Sequence, residues 1–151
     1  MKKALSVLFI FTVVLSASAQ FVAKLELKED IAGICDKNEV YALFPGFKGQ
    51  VAAVCPVTKE EILKRLNTEV TFLKEHPKYK DKGMMGMIIN CKGEVVQCKM
   101  DNKTKNPELD KQIEAVFNSL GSWKPGTLNG TEVDTSQLFS FKIKNGKFTF
   151  E

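Results

Sequence analysis

The sequence predicts an α+β fold: an antiparallel sheet with two helices packed on one of its faces. Three observations predict it. Stretches 58–75 and 106–121 carry apolar residues at helical spacing. Stretches 84–100 and 137–150 read as strand pairs around glycine-containing turns. The order strand region, helix, hairpin, helix, hairpin suits helices gathered on one side of an antiparallel sheet.

The first residues, MKKALSVLFIFTVVLSASAQ, read as a secretory signal peptide over residues 1–19. Lys2 and Lys3 form the positive region, Ala4 to Leu15 the apolar run, and Ala17-Ser18-Ala19 the cleavage site. A membrane anchor needs about 20 apolar residues, and this run is shorter. Cleavage after Ala19 implies a periplasmic or secreted chain with no remaining membrane span. Losing Lys2 and Lys3 from 22 basic residues leaves 20 against 18 acidic ones, a net of +2. That balance does not argue for nucleic acid or an anionic membrane. The remaining length supports one domain with one modest core.

Residues 20–57 form an N-terminal extension of strands and loops, and residues 58–151 the main domain. FVAKLELK at 21–28 is a first strand, with short strands at 39–44 and 50–54 and a PGFKG turn between them. The first helix spans about 58–75. Thr58 and Glu61 have capping-box spacing, Ile62, Leu66, Val70 and Leu73 share one face, and Pro77 stops it. MMGMIINCKGEVVQCKM at 84–100 folds as a hairpin about a turn at Asn90 to Gly93. Side chains alternate along a strand, which places Val96, Cys98 and Met100 on one inward face.

The second helix, 106–121, opens on Asn106-Pro107, an N-cap followed by a first-turn proline. Leu109, Ile113, Val116, Phe117 and Leu120 form its stripe, and Gly121 ends it. SWKPGTLNG then connects to the last hairpin. There Phe139, Phe141 and Ile143 alternate with Leu138, Ser140, Lys142 and Lys144, and Asn145-Gly146 is a two-residue turn before Phe148 and Phe150.

Cys35, Cys55, Cys91 and Cys98 are disulfide candidates, since an exported chain meets oxidising conditions. Their spacings of 20, 36 and 7, with His76 the sole histidine, do not fit a metal site. Cys91 and Cys98 would lie roughly 15 Å apart along the hairpin, beyond the roughly 7 Å a disulfide allows. Either Cys35–Cys55 forms alone, or Cys35 and Cys55 reach across to the hairpin. No catalytic set emerges: His76 stands beside Pro77 on a solvated helix end, and no phosphate loop or dinucleotide fingerprint is present. The expectation is a non-enzymatic chain with no cofactor.

Residues 58–143 resemble the C-terminal domain of TonB, above all its Bacteroidetes-type relatives. The matching features follow in order. They are the EEILKRLN helix, Gly86-Met87-Ile88-Ile89, the turn Gly93-Glu94-Val95, the helix start Glu108-Leu109-Asp110, and Trp123-Lys124-Pro125-Gly126 with Asn129-Gly130 before the strand Leu138–Ile143. In this reading Trp123 to Gly126 is a structural connector. Trp123 caps the core, Pro125 prevents helix continuation, and Gly126 and Asn129-Gly130 turn the chain.

The resemblance implies a binding domain serving TonB-dependent transport. It would engage a short segment of an outer-membrane receptor by adding it as a strand beside the C-terminal strand. The residues implied for partner binding are Leu138, Ser140, Lys142, Lys147 and Phe148. Two features depart from the family. The hydrophobic segment reads as cleavable and no proline-rich spacer follows it. The chain also folds back after Asn145-Gly146 as an extra strand, which would close the binding edge if it pairs there. The alternative is a disulfide-stabilised exported interaction protein, acting as a homodimer, that has lost transducing work.

Overall fold

The computed structural model describes residues 21–27 and 29–151. The expected signal peptide, 1–19, lies outside the described residues. The chain orders as β1 (Ala23–Leu25), β2 (Val40–Ala42), β3 (Gln50–Val51), α1 (Lys59–Glu69), α2 (Phe72–Glu75), β4 (Asp81–Ile89) and β5 (Val95–Asn102). There follow α3 (Pro107–Asn118), β6 (Gly126–Leu128), β7 (Thr131–Val133), β8 (Thr135–Lys144) and β9 (Lys147–Phe150). The fold is α+β, with three described helices rather than two. Among the described residues no helix is long and apolar enough to cross a membrane.

The helices form for the reasons their sequences suggest. Thr58 Oγ1 accepts the Glu61 N–H and caps α1. Asn106 Oδ1 accepts the Glu108 and Leu109 N–H groups and caps α3, with Pro107 in its first turn. The stretch expected as one helix over 58–75 breaks at Val70, which is extended (φ −75°, ψ 97°). Two β-branched residues, Val70 and Thr71, favour the break. It is stabilised from α3: Gln112 Oε1 accepts the Phe72 N–H at 3.0 Å, satisfying a donor at the start of α2. Val70 and Leu73 both stay buried across it.

The main sheet runs β1-β2-β8-β4-β5, with β9 also on β8. It is not wholly antiparallel as expected: β2 meets β8 in parallel at Tyr41 and Thr135. A second small sheet, β3-β6-β7, uses residues 126–133, expected only as a connector. One face of the main sheet packs on the helices. Its core joins Met85, Met87, Ile89, Phe139, Phe141 and Ile143 to Ile62, Leu66, Ile113 and Phe117. A register shift between Ile88 and Ile89 corrects the inward face of β5. Val95 pairs with Ile89 and packs on the core with Cys98, while Val96 is the extra residue and stands against Gly33.

Cys35 is bonded to Cys91, closing a separation of 56 residues. Cys55 and Cys98 are free thiols, so of the two N-terminal cysteines Cys35 reaches the hairpin and Cys55 does not, which corrects both expected patterns. Asp134 organises this corner. Its buried carboxylate accepts backbone N–H groups from Cys35 at 2.7 Å, Asp36 at 2.8 Å and Cys91 at 2.8 Å. Three fixed donors hold the negative charge away from water. The same acid thereby ties the N-terminal extension, the β4–β5 turn and the start of β8 together.

Candidate functional site

β8 is the axis of the molecule, and its two edges differ. Along one edge β4 pairs from Thr135 to Ile143 without interruption. On the other, β2 touches only Thr135, and β9 pairs only from Phe141 to Lys144. Glu151 N–H adds a bond to the Ser140 carbonyl at 3.1 Å. Among the described residues, Ser136 to Phe139 have no strand partner on this edge. Backbone groups alternate in direction along a strand. The Ser140 carbonyl faces the edge, and the Asp134 carbonyl does too, accepting the Tyr41 N–H at 2.9 Å. Leu138, midway, therefore presents its N–H and C=O outward.

Two other strands carry helix side chains on their free edges. On β9, Asn67 of α1 accepts the Phe148 N–H at 2.9 Å and donates to the Phe148 carbonyl at 3.4 Å. On β5, Glu114 of α3 accepts the Met100 N–H at 2.9 Å. These side chains satisfy backbone groups that would otherwise invite another strand.

Beside the unpaired stretch runs a cleft of about 550 Å³, lined among others by Val51, Val54, Val57, Trp123, Leu138 and Phe139. Val51, Val54 and Leu138 are 52%, 53% and 59% exposed, unusual values for three neighbouring apolar side chains. Trp123 is buried and packs edge-on to Phe139, with ring centroids 6.2 Å apart. Its Nε1 has no acceptor among the described residues.

The Trp123–Gly126 connector fixes one wall. Trp123 N–H donates to the Gly93 carbonyl at 2.9 Å, and Lys124 exchanges backbone bonds with Val54 at 2.9 and 3.0 Å. Gly93 (φ +81°) has no alternative: a Cβ there would sit 2.0 Å from the Trp123 carbonyl oxygen. Gly126 is held to the same minimum, since a Cβ would meet Thr135 Cγ2 at 2.6 Å. The Gly93-Glu94-Val95 turn and the Trp-Lys-Pro-Gly stretch, far apart in sequence, are thus one joint.

The expected partner residues separate into three groups. Leu138 belongs to the unpaired stretch, and Ser140 stands just past it with its carbonyl taken by the Glu151 N–H. Lys142 and Lys147 lie exposed where β9 covers the edge, Lys142 in an ion pair with Glu151. Phe148 is corrected to a core residue: it is 2% exposed and packs edge-on against Phe141 at 5.3 Å. Sequence reasoning missed Val51 and Val54, which sit in a segment too short to show periodicity. It also missed Asp134, Asn67 and Glu114. Only Asn67 leaves a signal, as a poor helix former inside a helix.

The free thiols are not activated. Burial, then repulsion from Glu114, pushes the Cys98 thiol up to about 12. Burial also raises Cys55, partly offset by a hydrogen bond from the Val57 backbone. A nucleophilic cysteine needs the thiolate. His76 is engaged elsewhere, stacked on Phe72 with ring centroids 4.1 Å apart and its Nδ1 donating to the Phe72 carbonyl at 2.8 Å. Cys35, Cys91 and Asp134 place ligand-type atoms within 4.8 Å of one another. The two sulfurs are spent in the disulfide and the carboxylate on three N–H groups. What the arrangement offers is an acceptor edge and an apolar cleft. No family model matches the chain, and no curated protein or solved structure matches it.

Proposed function

We propose that this chain is a non-enzymatic binding domain that takes an extended peptide segment of a protein partner onto the unpaired stretch of β8. The mode is strand addition: backbone bonds to Leu138 hold the peptide, and the Val51–Val57 cleft selects its apolar side chains. The TonB-like reading belongs here, with the N-terminal segment of an outer-membrane receptor as the peptide and TonB-dependent transport as the process. The order of helix, hairpin, helix and strand supports it. The observation that carries the proposal is that β9 closes only Phe141–Lys144 while Ser136–Phe139 stay unpaired.

The test is an amide-shift titration of the isotope-labelled chain with receptor segments of that type. Saturable shifts at residues 136–140 and 51–57 are expected, lost in Leu138→Pro. That variant removes the outward N–H while leaving the inner edge to β4 intact. Shifts spread evenly over the surface, or binding untouched by folded Leu138→Pro, would refute strand addition here.

The Cys35–Cys91 bond favours a second reading, an exported, disulfide-stabilised interaction protein. A second copy would then occupy the same stretch, as unpaired edges invite. Native mass spectrometry separates the two: a stable dimer that excludes receptor peptides supports this reading, and a monomer removes it.

A further inference from the structure

The chain's near-balanced charge conceals a strong segregation. β4 begins, β5 ends, β8 ends and β9 begins at one end of the main sheet. Lys80, Lys82, Lys105, Lys142 and Lys144 line one open depression of about 470 Å³ there, with Asp81 its one acid. Lys147 adds a sixth cation at the hairpin. All six are exposed. Lys142 pairs with Glu151, while the other five have no ion pair among the described residues. Asp81 offsets one of them, its charge held in place by hydrogen bonds and drawn toward Lys105. Its carboxylate already accepts the Tyr79 hydroxyl at 2.8 Å and the Lys82 and Lys105 N–H groups at 2.9 Å each.

The register makes this more than a count. Lys82 stands directly across from Lys142, and Lys144 directly across from Lys147. Like charges at directly opposed strand positions destabilise a sheet. Glu151 offsets Lys142 in the first pair, the second has no acid between its lysines, and together the cations concentrate a positive field that attracts anions.

We propose that this end of the sheet docks on an anionic membrane surface through lipid phosphate headgroups. The chemistry favours a diffuse anionic plane over nucleic acid. Every cation is a lysine, a mobile point charge, and the chain's one arginine, Arg65, is on α1, bonded to Glu69. No aromatic ring lies open in the depression for base stacking. Docking would lay the lysines on the headgroups and leave the Ser136–Phe139 stretch, nearer the other end of β8, free to face a partner. The proposal stands without the peptide-binding reading, since it uses other residues.

The test is co-sedimentation of the full chain with phosphatidylcholine vesicles, with and without one-quarter phosphatidylglycerol. Salt is set at about 0.05 M and about 0.5 M, which shortens the screening length several-fold. The expected result is binding only to the anionic vesicles and release at high salt. The variant Lys80→Gln/Lys82→Gln/Lys142→Gln/Lys144→Gln should bind roughly several hundredfold more weakly. A control with equal charge loss, Lys37→Gln/Lys59→Gln/Lys92→Gln/Lys124→Gln, should stay within about threefold of the parent. Melting of the fourfold patch variant at or above the parent's temperature shows that lost binding is not lost folding. Equal weakening of both variants would reduce the effect to net charge and overturn the proposal. So would equal binding to both vesicle types, or patch-dependent binding of a duplex oligonucleotide tighter than that of the vesicles.

Discussion

The two halves of β8 share one backbone direction and one set of core contacts, yet their outer edges differ. From Phe141 to Lys144 the edge is covered by β9, and β9 is covered in turn by Asn67 of α1. From Ser136 to Phe139 it meets an open cleft. The contrast teaches that exposure here is local. Asn67 occupies both backbone groups of Phe148 on β9 and Glu114 one N–H of β5, while no side chain takes the outward groups of Leu138 among the described residues.

The largest expected effect comes from the corner that holds the open half in place. Cys35→Ser removes a link spanning 56 residues, which the chain-entropy model values at about 4 kcal/mol. Urea unfolding should report that loss. Asp134 remains to hold Cys35 and Cys91 by their N–H groups, so the core under the closed half should keep its near-ultraviolet spectrum in native buffer. Loss of that spectrum would show that the halves are not separable.

Asn67→Ala attacks the closed half. It leaves the Phe148 N–H and carbonyl without their partner beside a buried side chain, at about 1–3 kcal/mol. Leu138→Pro in the open half should cost about 1 kcal/mol or less, because the N–H it removes has no intramolecular acceptor. If Leu138→Pro proves the costlier, the stretch is not open in solution and the comparison fails.

How far this contrast was legible depends on the physics behind each part. The helices were legible through their caps and stripes, because Thr58, Asn106 and the apolar spacing act within a few residues. The break at Val70 was not, since its stabilising acceptor, Gln112, lies on another helix. The placement of Leu138 and Ser140 opposite the core-facing Phe139, Phe141 and Ile143 followed from alternation. Phe148 was misplaced although the signal was present: a two-residue turn sets Phe148 across from Ile143, a core position. The cleft wall at Val51 and Val54 and the Cys35–Cys91 pairing rest on placement of an extension without periodicity. Local sequence does not encode that placement.

A pH series sharpens the account of the β5 edge. Cys98 sits beneath α3, 3.6 Å from Met85 Sδ. Its thiol ionises near pH 9 when unfolded but holds its proton to about 12 when folded, through burial and then Glu114. Between those values the unfolded state binds fewer protons, so stability is intact below pH 9 and falls as pH rises toward 12. Tyr79, raised from 10 to about 12 by burial and its bond to Asp81, acts in the same direction. Cys98→Ala should flatten the part of the decline that begins near pH 9. Slow alkylation of native Cys98 at pH 8, sped by urea, should accompany it; fast native labelling would mean that α3 does not seal this edge.

The smallest effect has the opposite sign. Lys82→Thr removes one of two like charges facing each other across β4 and β8, under the closed half. Thr is also the better strand former. Relief of cross-strand repulsion is worth about 0.2–1 kcal/mol, so the variant should unfold at slightly higher urea. The gain should shrink as salt screens the pair, because both lysines are exposed. A salt-independent gain would assign it to strand propensity alone. No gain at low salt would mean that the lysine pair carries no strain, and that the closed half was not built against its own stability.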